Sequence, residues 1–416
     1  MEKIKLLGPF RQLLTLDKLP VKGALQDSQL EIIEDAGMLV KGDFILEINT
    51  YTNLLLTAEK ESYLIEELVG DYVAMPGFID PHTHICWAGN RAEEYALKLS
   101  GKSYIEIAKA GGGIWNTVTS TRNNFKNELT KKTVERAEKM LNQGITTIEV
   151  KSGYGLSVEE ELKILEAIKQ ADKRTVSDLI PTCLAAHTMP KDFKGNSKEY
   201  LDLLIKELLP QVYEKGLANR VDIFIEKSAF NPSEALDFLL KAQSMGFEIT
   251  VHADQFTTGG SKTAIEADAV SADHLEASGE KEIKALAESA VISVALPGSS
   301  LGLGAPFTPA RKLLDAGACL AIGSDWNPGS APMGDLLTQA AILGIYERLS
   351  TAEVFAGITF RAALALNLKD RGVLKEGYLA DVVAFKTDNY TNILYNQGQL
   401  KPNAVWKNGV SVKSLN

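Results

Sequence analysis

Short apolar runs that end in polar turns recur along the middle of the chain, and helical spacing fills most of the gaps between them. Residues 158–171, for example, carry Leu162, Leu165 and Ile168 on one predicted helix face. Repeated strand and helix units favour a parallel (β/α)8 barrel. The pattern predicts eight buried strands, near residues 73–79, 145–150, 179–186, 221–225, 248–252, 269–274, 291–296 and 318–323.

Both ends of the chain show short strands and turns instead. Lys41-Gly42-Asp43 separates two apolar runs near the N-terminus, and Lys407-Asn408-Gly409 separates two near the C-terminus. Asn-Gly between apolar runs is a strong hairpin signal. We therefore expect residues 75–369 to form the barrel, and residues 1–74 and 370–416 to form one small β domain together.

Composition narrows the class of protein. A length of 416 residues suits one large barrel with a smaller domain, and a net charge of −10 disfavours nucleic acid as a partner. No apolar run reaches the length of a membrane span, and the N-terminus lacks a signal-peptide core. Three widely spaced cysteines indicate reduced thiols, so we expect a cytoplasmic protein.

The polar residues that end the apolar runs carry the candidate chemistry. The chain has five histidines, each where an apolar run gives way to a turn, and a further run ends on an aspartate. Barrel enzymes place their chemistry at the C-terminal ends of the strands, which is where these side chains are predicted to lie. The residues are His82, His84, His187, His252, His274 and Asp325.

His82 and His84 are the core of a predicted metal site. Two residues apart in an extended segment, they face the same side about 6.6 Å apart. With His252 and Asp325 they form a nitrogen and oxygen set that suits one Zn²⁺ or Fe²⁺ ion. Such an ion would activate water for hydrolysis of a C–N bond. Asp325 is then the expected proton acceptor, and His274 is expected to hydrogen-bond a carbonyl or relay a proton.

His274 and three other features near the predicted site also have a plainer, structural interpretation. His274 is alternatively a buried histidine bonded to backbone. Cys86 is either a soft ligand or, as we favour, a buried free thiol. Lys227 is either a carbamylated bridge between two ions or, as we favour, a solvated side chain. The run Gly111-Gly112-Gly113 is interpreted as a loop near the mouth of the site, with a simple turn as the alternative.

Six segments resemble the amidohydrolase superfamily in its single-metal form, and most specifically its imidazolonepropionase family. The His-x-His segment is generic to the superfamily, whereas Lys-Ser-Gly-Tyr-Gly-Leu and Ser-Asp-x-Asn-Pro-Gly-Ser are more specific. The segments span most of the chain. They are residues 76–84, 149–156, 185–187, 251–255, 271–275 and 323–330.

The resemblance implies a distorted TIM-like barrel with a β-sandwich formed from both termini, usually as a homodimer. It implies hydrolysis of 4-imidazolone-5-propanoate to N-formimidoyl-L-glutamate, with one ion, Zn²⁺ or Fe²⁺/Fe³⁺, on the four ligands named above. Asp325 would shuttle the proton to the leaving nitrogen, and His274 would steady the oxyanion. The implied substrate contacts are Arg91, Tyr154, His187, Gln255, Asn327, Gly329 and Ser330.

Gln255 changes the expected assignment of the catalytic base, and two rival functions are considered beside hydrolysis of this substrate. The family carries Glu or Gln at this position, and a neutral amide only hydrogen-bonds, so the duty of the base moves to Asp325 with His274. One rival is another cyclic amidohydrolase or an aromatic deaminase, which would share the ligands but not the tail contact of Arg91. A second rival is a non-catalytic scaffold, which would be expected to have lost ligands.

Overall fold

Two sheets organise the protein in a computed structural model that describes residues 3–102 and 112–413. Gly111 of the predicted loop lies outside the described residues. The strands are β1 (Ile4–Leu14), β2 (Ile32–Lys41), β3 (Phe44–Thr50), β4 (Leu64–Glu67), β5 (Tyr72–Pro76), β6 (Phe78–Asp80), β7 (Ile145–Lys151), β8 (Asp178–Ala186), β9 (Arg220–Phe224), β10 (Glu248–Ala253), β11 (Ser271–His274), β12 (Ile292–Ala295), β13 (Leu320–Ile322), β14 (Val382–Lys386), β15 (Ala404–Lys407) and β16 (Val410–Lys413).

Helices connect and cover these strands. The α-helices of the described residues are Tyr51–Glu61, Ala92–Leu99, Ile114–Arg122, Lys126–Leu141, Val158–Asp172, Ser197–Leu203, Leu209–Glu214, Pro232–Ser244, Gly260–Glu266, Glu280–Glu288, Pro297–Leu303, Ala310–Asp315, Leu336–Glu347, Thr351–Gly357, Phe360–Ala365 and Thr391–Tyr395. A 3-10 turn spans Asp27–Gln29, and a π-helical turn spans Leu204–Leu208. None of the described helices combines the length and the apolar character needed to cross a membrane.

Strands β6 to β13 form a parallel eight-stranded sheet in which chain neighbours are spatial neighbours, so the predicted barrel is confirmed. The seam between β6 and β13 is closed beyond the strand ends. There Thr83 and Trp326 form an isolated parallel bridge, and the Asp325 amide donates to the His82 carbonyl at 3.0 Å. The sequence pattern located strands β7 to β13 to within two residues.

The first predicted strand, 73–79, is divided between the two sheets. β5 pairs with β14 in the terminal sheet, whereas β6 pairs with β7 in the barrel. The division falls at Gly77, whose amide donates to the Asp381 carbonyl at 2.8 Å. A Cβ on Gly77 would lie 2.5 Å from Oγ1 of Thr146, so only glycine fits this crossing. The Pro76-Gly77 pair inside the run was the available signal, because Pro-Gly commonly interrupts a strand, but the pattern predicted one strand across it.

The two chain ends share one sheet in the order β16-β15-β14-β5-β1-β2-β3, with β4 beside β1. The sheet encloses a separate apolar cluster in which the rings of Phe10 and Trp406 meet edge to face at 6.1 Å. Lys407 is buried there, with its Nζ 2.8 Å from carboxylate oxygens of both Asp381 and Asp178. The β domain expected from both termini is therefore present beside the barrel.

The helix Val158–Asp172 shows how local sequence fixes the barrel layers. Ser157 caps it by accepting the Glu160 amide, a contact that contributes about 1 kcal/mol to helices in general. Its buried face includes Leu162, Leu165 and Ile168, the residues that the spacing predicted. Each fully buried leucine or isoleucine contributes roughly 1.5–3 kcal/mol through burial.

The C-terminal hairpin gives a direct test of backbone and packing constraints. Gly409 has a φ of +71°, and an added Cβ would lie 2.5 Å from Cγ1 of Val40. Gly377 has a similar φ of +79° but open space around it. Gly377→Ala is expected to lower the free energy of unfolding by about 1 kcal/mol, and Gly409→Ala by roughly 2–4 kcal/mol. Urea denaturation measures both, and equal losses would refute the packing argument.

Candidate metal centre and active site

Three imidazoles converge where the strands of the barrel end. One ring nitrogen from each of His82, His84 and His252 lies within 4.8 Å of the others. Oδ1 of Asp325 lies 3.3 Å from Nε2 of His84 and 3.7 Å from Nε2 of His82. The structure thus brings together all four side chains that the sequence proposed as ligands.

The chemistry of these donor atoms fits a divalent ion. Nε2 of His82 and Nε2 of His252 are buried and have no hydrogen-bond partner among the described residues. A buried polar atom without a partner costs about 1–3 kcal/mol. Three neutral imidazoles and one carboxylate satisfy that need by sharing a cation such as zinc.

Carboxylates behind the histidines fix the direction of two rings. Nδ1 of His82 lies 2.6 Å from Oδ2 of Asp273, and Nδ1 of His252 lies 2.8 Å from Oδ2 of Asp222. The first pair is a hydrogen bond, and the close approach of Asp222 favours a proton on Nδ1 of His252 as well, which leaves each Nε2 lone pair free to bind an ion. The rings are therefore oriented before any ion arrives.

Burial and neighbouring side chains keep three of the four proposed ligands in the protonation state that binds an ion. It lowers the pKa of His252 to about 4, although Asp222 opposes that shift, and it lowers the pKa of His82 well below its usual value. Burial by itself would raise the pKa of Asp325, but the contact with His84 holds that pKa below its usual value. Near neutral pH the rings of His82 and His252 are thus uncharged, and the carboxylate of Asp325 is ionised.

His274 stands beside this cluster with a different environment. Its ring centroid lies 5.3 Å from that of His252, and its Nδ1 lies 3.3 Å from Oε1 of Glu276. Burial would lower the pKa of His274, but the charge of Glu276 and its hydrogen bond raise it above the usual value. His274 is therefore suited to act as a proton donor rather than as a ligand.

The turns that hold these side chains are strained. His274 has a φ of +87° and Asp325 a φ of +51°, and Asp254 and Leu275 also lie at positive φ. Such conformations cost about 1–3 kcal/mol each in residues with side chains, and they concentrate at functional sites. Here they occur at or just after the C-terminal ends of β10, β11 and β13, where the proposed ligands lie.

A cavity of about 560 Å³ opens above the cluster. All seven side chains or glycines that were expected to contact substrate line its wall, together with His84, His252, His274 and Asp325. The seven are Arg91, Tyr154, His187, Gln255, Asn327, Gly329 and Ser330. The structure therefore places every predicted contact around one space.

Two cations occupy one end of the cavity, which we call the cationic end (Arg91 and Lys98 with Glu94). Nε of Arg91 donates to Glu94 at 2.9 Å, and Nζ of Lys98 lies 3.6 Å from Oε1 of Glu94 and donates to the Gly329 carbonyl at 3.2 Å. A Cβ on Gly329 would lie 2.1 Å from a guanidinium nitrogen of Arg91. Two positive charges and one negative charge leave a net attraction for one anion.

The other cavity residues that were expected to contact substrate are held by rings, side chains and backbone groups around them. His187 stacks on His84 at 5.3 Å between centroids, and its Nδ1 lies 3.0 Å from the Gly153 carbonyl. Nε2 of Gln255 donates to Oγ of Ser299 at 3.1 Å. Oδ1 of Asn327 accepts the amides of Gly329 and Ser330 at 2.8 and 2.9 Å, so Asn327 shapes the turn.

The alternatives for Cys86 and Lys227 are decided by their positions. Cys86 is buried away from the histidine cluster, and burial raises the pKa of its thiol to about 11, so it is a packing thiol. Lys227 is exposed, as the plainer interpretation expected. The buried lysine near the cluster is Lys151 instead.

Sequence analysis missed the supports of the site. Glu149 and Lys151 are fully buried in β7, Asp222 lies in β9 and Asp273 in β11, and Lys98 lines the cavity. The available signal for these supports was a charged residue inside an apolar, β-branched run, because a charge that is buried in a strand needs a partner in the fold. Residues 149 and 151 also share one face of their strand.

The loop around Tyr154 depends on one buried carboxylate. Glu161 accepts the amides of Gly153, Gly155 and Leu156 at 2.7–3.0 Å. In Glu161→Gln the new NH2 faces at least one of these donors, so the free energy of unfolding is expected to fall by about 1–3 kcal/mol. The exposed Glu159 in the first turn of the same helix provides the control, since Glu159→Gln should change stability by less than about 0.5 kcal/mol. Equal urea midpoints for both variants would contradict this role.

Comparison with known proteins agrees with this geometry. A profile of the Amidohydrolase family matches residues 73–412. An imidazolonepropionase from Bacillus cytotoxicus is 38% identical over 412 residues, covering 97% of this chain and 95% of the relative. A triazine hydrolase variant superimposes with a TM-score of 0.75 at 17% identity, covering 99% of this chain and 95% of that one. An adenosine deaminase from Xanthomonas campestris with bound zinc gives 0.70 at 18% identity, covering 100% and 93%. The two solved structures share the fold, and the chain belongs to the amidohydrolase family and, within it, to the imidazolonepropionases.

Proposed function

We propose that the protein hydrolyses the ring amide C–N bond of 4-imidazolone-5-propanoate to give N-formimidoyl-L-glutamate, a step of histidine breakdown. The observation that carries this proposal is one cavity with a metal-ligating cluster at its base and the cationic end at its wall. The cluster suits the reacting amide, and the cationic end suits the propanoate carboxylate. The curated relatives named imidazolonepropionase support the same substrate.

The proposed ligands are His82, His84, His252 and Asp325, with one ion, either Zn²⁺ or Fe²⁺/Fe³⁺, because both metals accept nitrogen and oxygen donors. When bound, such an ion lowers the pKa of water toward about 7 and polarises the ring carbonyl. The proton of that water is transferred by side chains of the protein. The Asp325 carboxylate accepts the water proton and delivers it to the leaving ring nitrogen.

His274 is proposed to steady the oxyanion that develops on the ring carbonyl. Its raised pKa, which follows from the contact with Glu276, favours the protonated ring that can donate there. Gln255 offers a neutral amide to the ring, so it orients the substrate and takes no proton. His187 and Tyr154 close the wall of the cavity between the cluster and the cationic end.

The tail of the substrate is proposed to bind at the cationic end. Arg91 presents a planar fork that matches a carboxylate, while Glu94 holds that fork in place. Lys98 adds a second donor that the sequence did not single out. A deaminase that acts on an uncharged base would leave these two cations with Glu94 as their shared counter-charge.

Assembly and location complete the proposal. A homodimer is proposed because the family resemblance implies one. The three cysteines are free and buried, which fits a reducing compartment such as the cytoplasm.

Turnover and its dependence on metal test the proposal together. The purified, metal-loaded protein is expected to remove the ultraviolet absorbance of 4-imidazolone-5-propanoate and to yield N-formimidoyl-L-glutamate by mass spectrometry. Dialysis against a chelator should abolish turnover, and one equivalent of Zn²⁺ or Fe²⁺ should restore it, since the imidazoles alone cannot activate water. Full turnover by the stripped protein, or none by the loaded protein, would overturn the proposal.

A lysine variant tests the tail contact. Lys98→Met should raise KM roughly 10-fold or more with little change in kcat, because it removes a charge-assisted contact of about 1.5–3 kcal/mol. Arg91→Ala should raise KM further, since it removes the planar fork. Lys262→Met makes the same chemical change on an exposed helix and should leave both constants unchanged. Unaltered KM in both cavity variants would place the tail elsewhere.

A further inference from the structure

Lys151 is a fully buried ammonium beneath the proposed metal site, and the proposed function gives it no task. It ends β7, and neither its side chain nor that of its neighbour Glu149 reaches solvent. Its Nζ lies 2.8 Å from Oε1 of Glu149, 2.8 Å from Oδ2 of Asp222 and 3.7 Å from Oδ2 of Asp273. Three carboxylates from three strands thus surround one cation.

We propose that Lys151 is a positioning residue that ties three of the four proposed metal ligands to one point in the barrel. The inference rests on the ligand set of the proposed function. It adds a residue that does not touch the ion, the substrate or the reacting atoms.

Two of the connections run through shared carboxylate oxygens. Oδ2 of Asp222 lies 2.8 Å from both Nζ of Lys151 and Nδ1 of His252. Oδ2 of Asp273 lies 2.6 Å from Nδ1 of His82 and 3.7 Å from the same ammonium. The ammonium is therefore one of the groups that hold both carboxylates in place, beside the Ser271 hydroxyl on Asp273 and the His252 amide on Asp222. Each carboxylate in turn faces one imidazole.

The third connection runs through the backbone between the first two ligands. Oε2 of Glu149 accepts the Thr83 amide at 3.2 Å, while Oε1 of the same carboxylate accepts Nζ of Lys151. The Lys151 amide also donates to the Thr83 carbonyl at 2.9 Å. Because Thr83 separates His82 from His84, this pair of contacts fixes the spacing of the two rings.

Electrostatics explains why a cation is needed at this point. Without it, three carboxylates would face one another out of reach of water, and like charges at short range repel. The carboxylates would be expected to move apart or to change partners. Either response would turn the histidine rings that they orient, so the loss should appear in metal binding.

Lys407 offers a matched control, because its ammonium is also buried beside two carboxylates, of which Asp381 is buried and Asp178 is partly exposed, but it lies in the terminal sheet. Its Nζ is 2.8 Å from Asp381 and 2.8 Å from Asp178. Lys151→Met and Lys407→Met thus make the same change, and both should lower stability. Only the first should alter the metal site.

The experiment measures Zn²⁺ affinity of the full chain by competition with a chromophoric chelator, together with the visible spectrum of the Co²⁺-loaded protein. Lys151→Met is expected to lose roughly 10- to 100-fold in Zn²⁺ affinity and to show shifted Co²⁺ bands. Lys407→Met should match the wild type in both. Wild-type affinity and spectrum in a folded Lys151→Met variant would overturn the inference.

Glu149→Gln decides the matter if Lys151→Met does not fold, because it keeps the lysine and removes one charge of the group. A weakened Zn²⁺ affinity is expected, whereas Glu353→Gln, which alters a buried carboxylate that pairs with Arg311 away from the ligands, should bind Zn²⁺ as the wild type does. Unchanged affinity in Glu149→Gln would overturn the inference. Wild-type protein that binds no ion would instead overturn the ligand set of the proposed function, and the inference would fall with it.

Discussion

The site depends on the compensation of charges that are buried inside the barrel. Lys151, Glu149, Asp222 and Asp273 have almost no contact with solvent. An isolated ion in such surroundings costs several kcal/mol, so each group must meet an opposite charge or a strong donor. Asp222 and Asp273 meet this demand on one side with the ammonium and on the other with a histidine Nδ1. Glu149 meets it with the ammonium and with the Thr83 amide. The Nε2 atoms of His82 and His252 stay without a partner among the described residues, and they face the proposed position of the ion.

The same region closes the barrel. β6 and β13 are the first and last strands of the sheet, and contacts beyond their ends join them. Asp80 takes part, since its Oδ1 accepts the Ser324 amide at 3.0 Å, and burial raises the pKa of Asp80 to about 7. The proposed ion would bind His82 and His84 from one side of this seam and Asp325 from the other. Metal binding and barrel closure would then reinforce each other, since a ligand that binds only the folded chain stabilises it.

The barrel strands and the polar residues at their ends could be predicted from the sequence, because each strand has a local sequence pattern. An apolar, β-branched run that ends on His252 or Asp325 shows both the strand and the polar group at its end, and the barrel geometry brings such ends together. The Asn408-Gly409 turn was equally local, and both residues have positive φ in the structure. The resemblance to a known family supplied the contacts that spacing does not show, such as Arg91 and Gln255, and it supplied the substrate.

The rest was hidden because it depends on distance across the fold. The crossing at Gly77 is decided by its approach to Thr146, which lies far along the chain. Lys98 shows no more than a helix surface pattern, and its role follows from a cavity wall formed with Gly329. Lys151 was read only as part of a family segment, because its carboxylate partners come from β9 and β11. Partners that meet across strands leave no regular spacing in the sequence.

The proposed function requires one ion, bound by three imidazoles and one carboxylate at the ends of the barrel strands. X-ray absorption spectroscopy of the zinc-loaded protein tests it most directly, because the fine structure reports the ligand type and the bond lengths around the ion. The four proposed ligands should give nitrogen and oxygen neighbours at about 2.0–2.2 Å, with the multiple scattering of about three imidazole rings. A sulfur neighbour at about 2.3 Å, or the signature of fewer than two imidazoles, would contradict it.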